Sequence, residues 1–390
     1  MNRKEKFHLF PKYSDYRIIV AAIVLAIFGS LMVVSAEMGE SSADLSVITS
    51  ASIKQLIYVT IGIFAMYFFT RISITRFRKK FIRFGYFVIL GLLVITRAFG
   101  AVGGAYGWIK LGPVSVQPSE FAKLYLIIWG AGIFSKEGTV KENLDTFKKY
   151  IAGFLIYVFI VLIWQHDTGS AFVIGIIGYV ICLIPDYKGI KKYQNWMMIG
   201  IGLFIVLFIF LLSPLGTNLL KHFDSHYQIL RFLASANPFD YQYDSGYHLI
   251  MALVSFATGG FFGLGYGKSI HKYMNFPNPS TDFILPVIIE ELGLVFGLIP
   301  IVVGYGFILV PLIRHSMKCH LVRTKIVLVA TFFYFAIHFI LNVGGVSGLI
   351  PLTGVPLLLI SSGGSSLISC MSALGLAESE IIYYRSKEIN

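Results

Sequence analysis

Five short stretches of this 390-residue chain set polar or charged side chains into apolar surroundings. Gln117-Pro-Ser-Glu120 opens an apolar run, and Lys123 follows Glu120 at the spacing of an ion pair on one helix face. Gln165-His-Asp-Thr-Gly-Ser170 links two further apolar runs, and Asp167 suits a helix N-cap. Ser280-Thr-Asp282 precedes a long apolar stretch, with Pro286 in its first turn. Glu290-Glu291 lies inside that stretch, and Ser361-Ser-Gly-Gly-Ser-Ser366 lies inside the last one. A poorly solvated carboxylate such as Asp282 holds its proton more tightly and can serve as a general base. Two adjacent acids in hydrocarbon cannot both be cheaply ionised, so Glu290 and Glu291 imply a polar network or a proton relay. Structural readings stand beside these: a cap and ion pair at Gln117–Lys123, N-caps at Asp167 and Asp282, and close helix approach at the serine–glycine run.

The elements that must carry these residues are membrane helices. The chain is 56% hydrophobic and 13% charged, with a mean hydropathy of +0.76, more apolar surface than one soluble globule can hide. Hydropathy gives ten spans, the first at Tyr16–Val34, the eighth at Phe283–Ile313 and the tenth at Gly354–Ala377. The fold expected is an all-α bundle of ten transmembrane helices forming one polytopic domain over residues 1–390. With both termini in the cytoplasm, inner segments hold 24 Lys and Arg and outer segments hold seven. That asymmetry obeys the positive-inside rule, so the net charge of +12 reports topology and anionic lipid rather than nucleic acid. The inner loops Arg71–Arg83 and Lys136–Lys149 read as basic tethers at the headgroups. Cys182 and Cys370 fall in spans and Cys319 on the inner side, which leaves no outer disulfide.

One connection is long. Residues 213–282 form an outer loop between the seventh and eighth spans, and a loop of that length in a compact bundle is usually functional. Within it Tyr247–Phe262 is apolar but too short to span, as expected of a re-entrant or interfacial segment. Gly259, Gly260, Gly263, Gly265 and Gly267 lack the strand–turn–helix context of a phosphate loop and read as close backbone packing or a turn.

Taken in order, these motifs resemble the SEDS family (shape, elongation, division and sporulation), the group of FtsW, RodA and SpoVE. The resemblance rests on Gly104–Lys123, Gln165–Ala171, Gly246–Gly265, Pro279–Gly293 and Gly348–Leu367. It implies a plasma-membrane peptidoglycan glycosyltransferase that polymerises lipid II at the outer face. Implied partners are a class B penicillin-binding protein and the membrane proteins of the divisome or elongasome. The family's essential loop aspartate falls on Asp282, the acid of the Gln-x-Asp-x-Gly stretch on Asp167, and the polar pair of the fourth span on Glu120 and Lys123. The chain departs from the family where Gly107 replaces an Arg, Ser280 a His, Ser362 a Tyr and His248 a Gln. Lys110 is the nearest candidate to replace the missing guanidinium. The compact Leu111–Ser119 stretch leans toward the division-type branch.

The reaction so implied joins the 4-hydroxyl of one sugar to the anomeric carbon of another, expelling a pyrophosphate. Asp282 is the expected base. Lys123, Arg231 and Lys110 are the expected cations, and Gln117, Ser119, Glu120, Asp167, Ser365 and Ser366 the remaining substrate-binding groups. No resident cofactor is expected, and no ligand cluster demands the divalent cation (Mg or Mn) that could assist the leaving group. Two rival readings remain: a flippase for the same precursor, using Glu120, Lys123, Glu290 and Glu291, and a noncatalytic scaffold for the penicillin-binding protein.

Overall fold

A computed structural model describes residues 11–389 apart from 12, 41–44, 75–78, 103, 113, 224–226, 244, 275 and 277. Most of the Met1–Lys12 tail and part of the Arg71–Arg83 tether lie outside the described residues. The helices, in chain order, are α1 (Tyr16–Glu40), α2 (Leu45–Arg71), α3 (Lys79–Ile95), α4 (Pro118–Ile133), α5 (Val140–Phe159), α6 (Thr168–Leu183) and α7 (Lys191–Leu212). They continue as α8 (Pro214–Leu220), α9 (Tyr227–Ala236), α10 (Ser245–Gly259), α11 (Ile284–Gly293), α12 (Ile299–Lys318), α13 (Val322–Val346) and α14 (Gly364–Ile389). Among the described residues seven helical stretches are long and apolar enough to cross a membrane, the longest running from α11 through α12. The protein is a multi-pass helical membrane protein. Among the described residues, 213–282 hold three α-helices, α8 to α10, and three short 3₁₀ turns.

Helices α4, α6, α13 and α14 pack together as the inner bundle. Their small residues sit at the crossings. A Cβ on Gly130 would meet Ile181 of α6 at 2.6 Å, and one on Gly375 would meet the backbone of Met66 on α2 at 2.2 Å. By contrast, none of the residues in the most apolar window of α7 is buried within the protein. Such a helix, apolar all round, suits lipid. Between α3 and α4 the chain makes an antiparallel hairpin, β1 (Ile109–Leu111) with β2 (Val114–Val116), in which Lys110 stands opposite Ser115.

Two boundaries differ from the sequence expectation. The last span does not begin at Gly354: residues 351–363 are irregular and α14 starts at Gly364. Pro351 and Pro356 each remove a helix donor, and Gly354 and Leu359 take φ of 69° and 67°. Ser361–Gly363 accordingly precede the helix rather than lining its interior. The second difference is a break at Gly293, where φ is 73° and α11 passes through a π-type turn (Leu294–Leu298) into α12.

That break has a visible cause. The N–H groups of Leu294 and Val295 donate to Gly260 and Phe261 (both 3.0 Å). In return, Leu264 and Gly265 donate to the carbonyls of Glu290 and Glu291 at 2.9 and 2.8 Å. The contact is so close that a Cβ on Gly263 would lie 2.3 Å from the Glu291 oxygen. Of the glycine cluster, Gly259 and Gly263 are close backbone packing, and Gly260, Gly265 and Gly267 turn the chain at positive φ. The two acids hold the same segment. Glu291 accepts from Ser35 Oγ (2.7 Å), the Gly267 N–H (3.0 Å) and Lys272 Nζ (2.8 Å). Glu290 accepts from Ser269 Oγ (2.6 Å), the Ile270 N–H (3.0 Å) and His271 Nδ1 (2.7 Å). Both carboxylates and Lys272 are buried.

Removing one member of a buried ion pair strands a charge, at about 3–5 kcal/mol, whereas an apolar replacement of both can be neutral. Lys272→Met should lower the melting temperature of the detergent-solubilised protein more than Lys272→Met with Glu291→Leu. A double variant that melts at or below the worse single variant would contradict the pairing.

Candidate active site

The N-termini of α4, α6, α11 and α14 meet at one end of the bundle. Pro118 occupies the first turn of α4, and Gln117 before it ties three elements together. Its backbone N–H donates to Ser365 Oγ on α14 (3.2 Å), and its side-chain amide donates to Asp167 Oδ2 before α6 (3.0 Å). Asp167 is the N-cap the sequence suggested, accepting from the Ser170 N–H at 2.9 Å. Ser119 Oγ lies 3.4 Å from Ser170 Oγ, and the Ser362 N–H donates to the Ser280 carbonyl at 2.8 Å. Ser366 Oγ turns back on its own turn, donating to Gly363 O at 3.0 Å. Helix N-termini carry partial positive charge, so four of them converging favour an anionic group.

Asp282 stands beside this junction. The N-cap position of α11 is Phe283, and no side chain caps that helix, so Asp282 is not the cap its position suggested. Its backbone is fixed instead: Asn342 Nδ2 of α13 donates to the carbonyls of Asp282 and Val355, each at 2.9 Å. Its carboxylate faces the irregular segment, where Gly354 at positive φ leaves room; a Cβ there would lie 3.4 Å from Asp282 Oδ2. Asp282 is half-buried. Burial pushes its carboxyl up to about 6, Asp167 pushes it the same way, and Arg231 opposes both. Arg231, on α9, also donates to Leu352 O at 3.3 Å.

Glu120 and Lys123 form the expected pair at 2.6 Å, and both are 1% exposed. They are closed in by α13. Lys123 Nζ lies 3.2 Å from His338 Nε2, and Tyr334 OH donates to Glu120 Oε2 at 3.2 Å. Because His338 Nδ1 must donate to Pro356 O (3.0 Å), its Nε2 is the acceptor for Lys123. Ser369 of α14 donates to the Glu120 carbonyl at 2.7 Å. Sequence reasoning missed Tyr334, His338 and Asn342. Their spacing of four residues, a polar stripe on one face of an otherwise apolar helix, was the available signal.

Lys110 is exposed on the hairpin and does not join this junction. The cation beside the substituted position is Arg97, whose guanidinium lies 5.1 Å over the ring of Tyr106 and 4.6 Å over that of Trp164. A Cβ on Gly107 would lie 3.7 Å from Asp167 Oδ2 and from Gln165 Oε1. That buried Gln165 oxygen has no hydrogen-bond partner among the described residues. No group of three His, Cys, Asp or Glu gathers for a metal among the described residues. Asp167 and Asp282 are the carboxylates a divalent cation at this end would use.

A bundle of membrane helices whose N-termini gather at a half-buried carboxylate defines a class that sequence comparison resolves further. The chain matches the family of cell cycle proteins that comprises FtsW, RodA and SpoVE, over residues 16–385. It is 30% identical to the "Probable peptidoglycan glycosyltransferase FtsW" of Bacillus subtilis (strain 168), with 97% of this chain and 93% of the relative covered. It is 28% identical to the "Peptidoglycan glycosyltransferase RodA" of Treponema pallidum (strain Nichols), with 93% and 96% covered. In fold it is similar to a chain of a solved peptidoglycan synthase complex, with a TM-score of 0.66 and 21% identity over 97% of this chain and 99% of that one. The chain belongs to the FtsW/RodA/SpoVE family.

Glu120→Ala leaves Lys123 charged in a sealed pocket, and Lys123→Ala leaves Glu120 so. The yield of folded protein from the double Ala variant should exceed that of the more damaged single variant. Strictly additive losses would show that the two residues act separately.

Proposed function

We propose that this chain polymerises lipid II into glycan strands, with Asp282 as the general base. Peptidoglycan glycosyltransferase activity is the function carried by its curated relatives over nearly their whole length. The observation that supports the catalytic assignment is the Asp282 carboxylate: half-buried, unused as a helix cap, and beside a cation at the junction of four helix starts. A sugar 4-hydroxyl is a poor nucleophile at neutral pH. A positioned carboxylate takes its proton as the oxygen bonds to the anomeric carbon and the C–O bond to pyrophosphate breaks. A base that titrates near 6 is ionised at neutral pH yet basic enough to accept that proton. Negative charge developing on the pyrophosphate is met by the helix N-termini and Arg231. Lys123 acts from beneath, committed to Glu120. Ser119, Ser365 and Ser366 lie at the same junction as Gln117 and Asp167.

Ten membrane crossings accommodate the helices, the seven long stretches together with α4, α6 and α14. Both termini are then cytoplasmic and residues 213–282 extracytoplasmic, the arrangement that keeps basic residues inside. A class B penicillin-binding protein is the partner this reading implies, and the fold likeness to a peptidoglycan synthase complex supports it. The transporter reading loses its support, because Glu290 and Glu291 clamp one loop while Glu120 and Lys123 pair elsewhere.

The Asp282 carboxylate caps no helix, so Asp282→Asn should fold normally. Glycan-strand synthesis from lipid II by the purified variant should fall by about 10²-fold or more. Near-normal polymerisation by a folded Asp282→Asn protein would end the assignment.

The pH dependence offers an independent reading. The base must be ionised, so activity should fall as pH drops through about 6. Asp167→Asn removes a like charge, lowers the proton affinity of Asp282 and should move this acid limb to lower pH. Arg231→Gln removes the opposing cation and should move it higher. An acid limb unchanged in both variants would show that another group titrates.

A further inference from the structure

The two basic tethers meet at a cavity. At the end of the bundle opposite Asp282, residues of α3, α4 and α5 enclose about 380 Å³, within the range of small-molecule sites. Its charged lining residues, among the described residues, are Arg83 and Lys149, one from each tether. Among the described residues neither forms an ion pair. Among the described residues, then, two cations without an ion pair face one cavity whose wall holds no acid.

The cavity lies at headgroup level by the polarity of three separate helices. Arg83 is the last charged residue before α3 turns apolar through Ile95. In α5 the first half is polar up to Lys149, and from Tyr150 onward it is apolar. The apolar run of α4 ends at Ile133, just before Ser135-Lys136. Toward the membrane centre the cavity is closed by aromatic rings. Tyr86 stacks on Tyr157 at 4.8 Å and leans on Trp129 at 4.9 Å, and its hydroxyl donates to Gly153 O at 3.0 Å. A Cβ on Gly153 would lie 2.1 Å from the Trp129 ring, so the indole rests directly on the α5 backbone. On the outer flank Phe84 and Phe87 are 66% and 60% exposed, an apolar surface for chains leaving sideways.

We propose that this cavity binds one anionic phospholipid, its phosphodiester between Arg83 and Lys149 and its acyl chains along the exposed face of α3. A pocket with cations at its mouth, an aromatic roof and an apolar flank matches an amphiphile with a negative head. It does not match a free anion, which would gain nothing from the flank. On the topology proposed above the lipid belongs to the cytoplasmic leaflet, where anionic lipids concentrate. The binding chemistry does not depend on that orientation.

Native mass spectrometry of the delipidated protein in detergent, titrated with phosphatidylglycerol, tests the proposal. One phosphatidylglycerol should be retained, and phosphatidylcholine should bind at least tenfold more weakly. Each cation near a headgroup contributes about 1 kcal/mol, so Arg83→Gln with Lys149→Gln should weaken retention about 30-fold. Thr146→Phe, which fills the cavity and leaves both charges, should weaken it as well. Melting temperatures of the lipid-free variants verify folding, and Thr146→Phe with the two-lipid comparison decides the matter should the double variant not fold. Equal retention of the two lipids, retention unchanged in the variants, or displacement of phosphatidylglycerol by millimolar inorganic phosphate would each overturn the assignment.

Discussion

The carboxamide of Asn342 holds two pieces of chain that no regular structure holds. Through its two donors it fixes the carbonyl of Asp282 at the start of α11 and that of Val355 in the irregular stretch before α14. Hydrocarbon offers no water to do this, so non-helical backbone at that depth persists only where protein groups satisfy it. Around that clamp the rest of the junction is assembled. His338, one turn earlier on α13, takes the Pro356 carbonyl, and Arg231 takes Leu352. The irregular segment is thereby pinned at three carbonyls, and the Asp282 carboxylate caps no helix.

The same constraint explains the paired acids of the long apolar stretch. Glu290 and Glu291 are adjacent, so they point to different sides of α11, yet both reach the loop that follows α10. One finds serine, backbone and imidazole donors, and the other finds Lys272 and Ser35. They act as staples, and the helix gives up its own regularity at Gly293 to accept them.

How much of this could be read from the chain follows from the range of the interactions. The Glu120–Lys123 pair and the Asp167 cap are local, within one helical turn, and spacing alone exposed them. The cap reading of Asp282, which stood beside its reading as a base, fails because α11 starts one residue later, and Asn342, which fixes the Asp282 carbonyl, lies sixty residues away. The start of α14 was misplaced because apolarity continues through Leu357–Ile360 although prolines and positive φ values forbid a helix there. The stripe Tyr334–His338–Asn342 was legible in principle. Its residues are individually ordinary, and only their common face and the emptiness around them mark a polar contact surface. The family resemblance was carried by motifs in order along the chain, and that order survives where single contacts such as Gly107 have changed.

The interlock between α10 and α11 has a mechanical side. With Gly259, Gly263 and Gly293 packed too tightly to admit even a methyl group, the two helices cannot slide past each other at that end. Ten residues of helix amount to a rod of about 15 Å, and Asp282 sits at its far tip. A tilt imposed on α10 from outside the bundle is thus carried by α11 as by a lever, and arrives at the carboxylate as a displacement rather than being lost in a flexible joint.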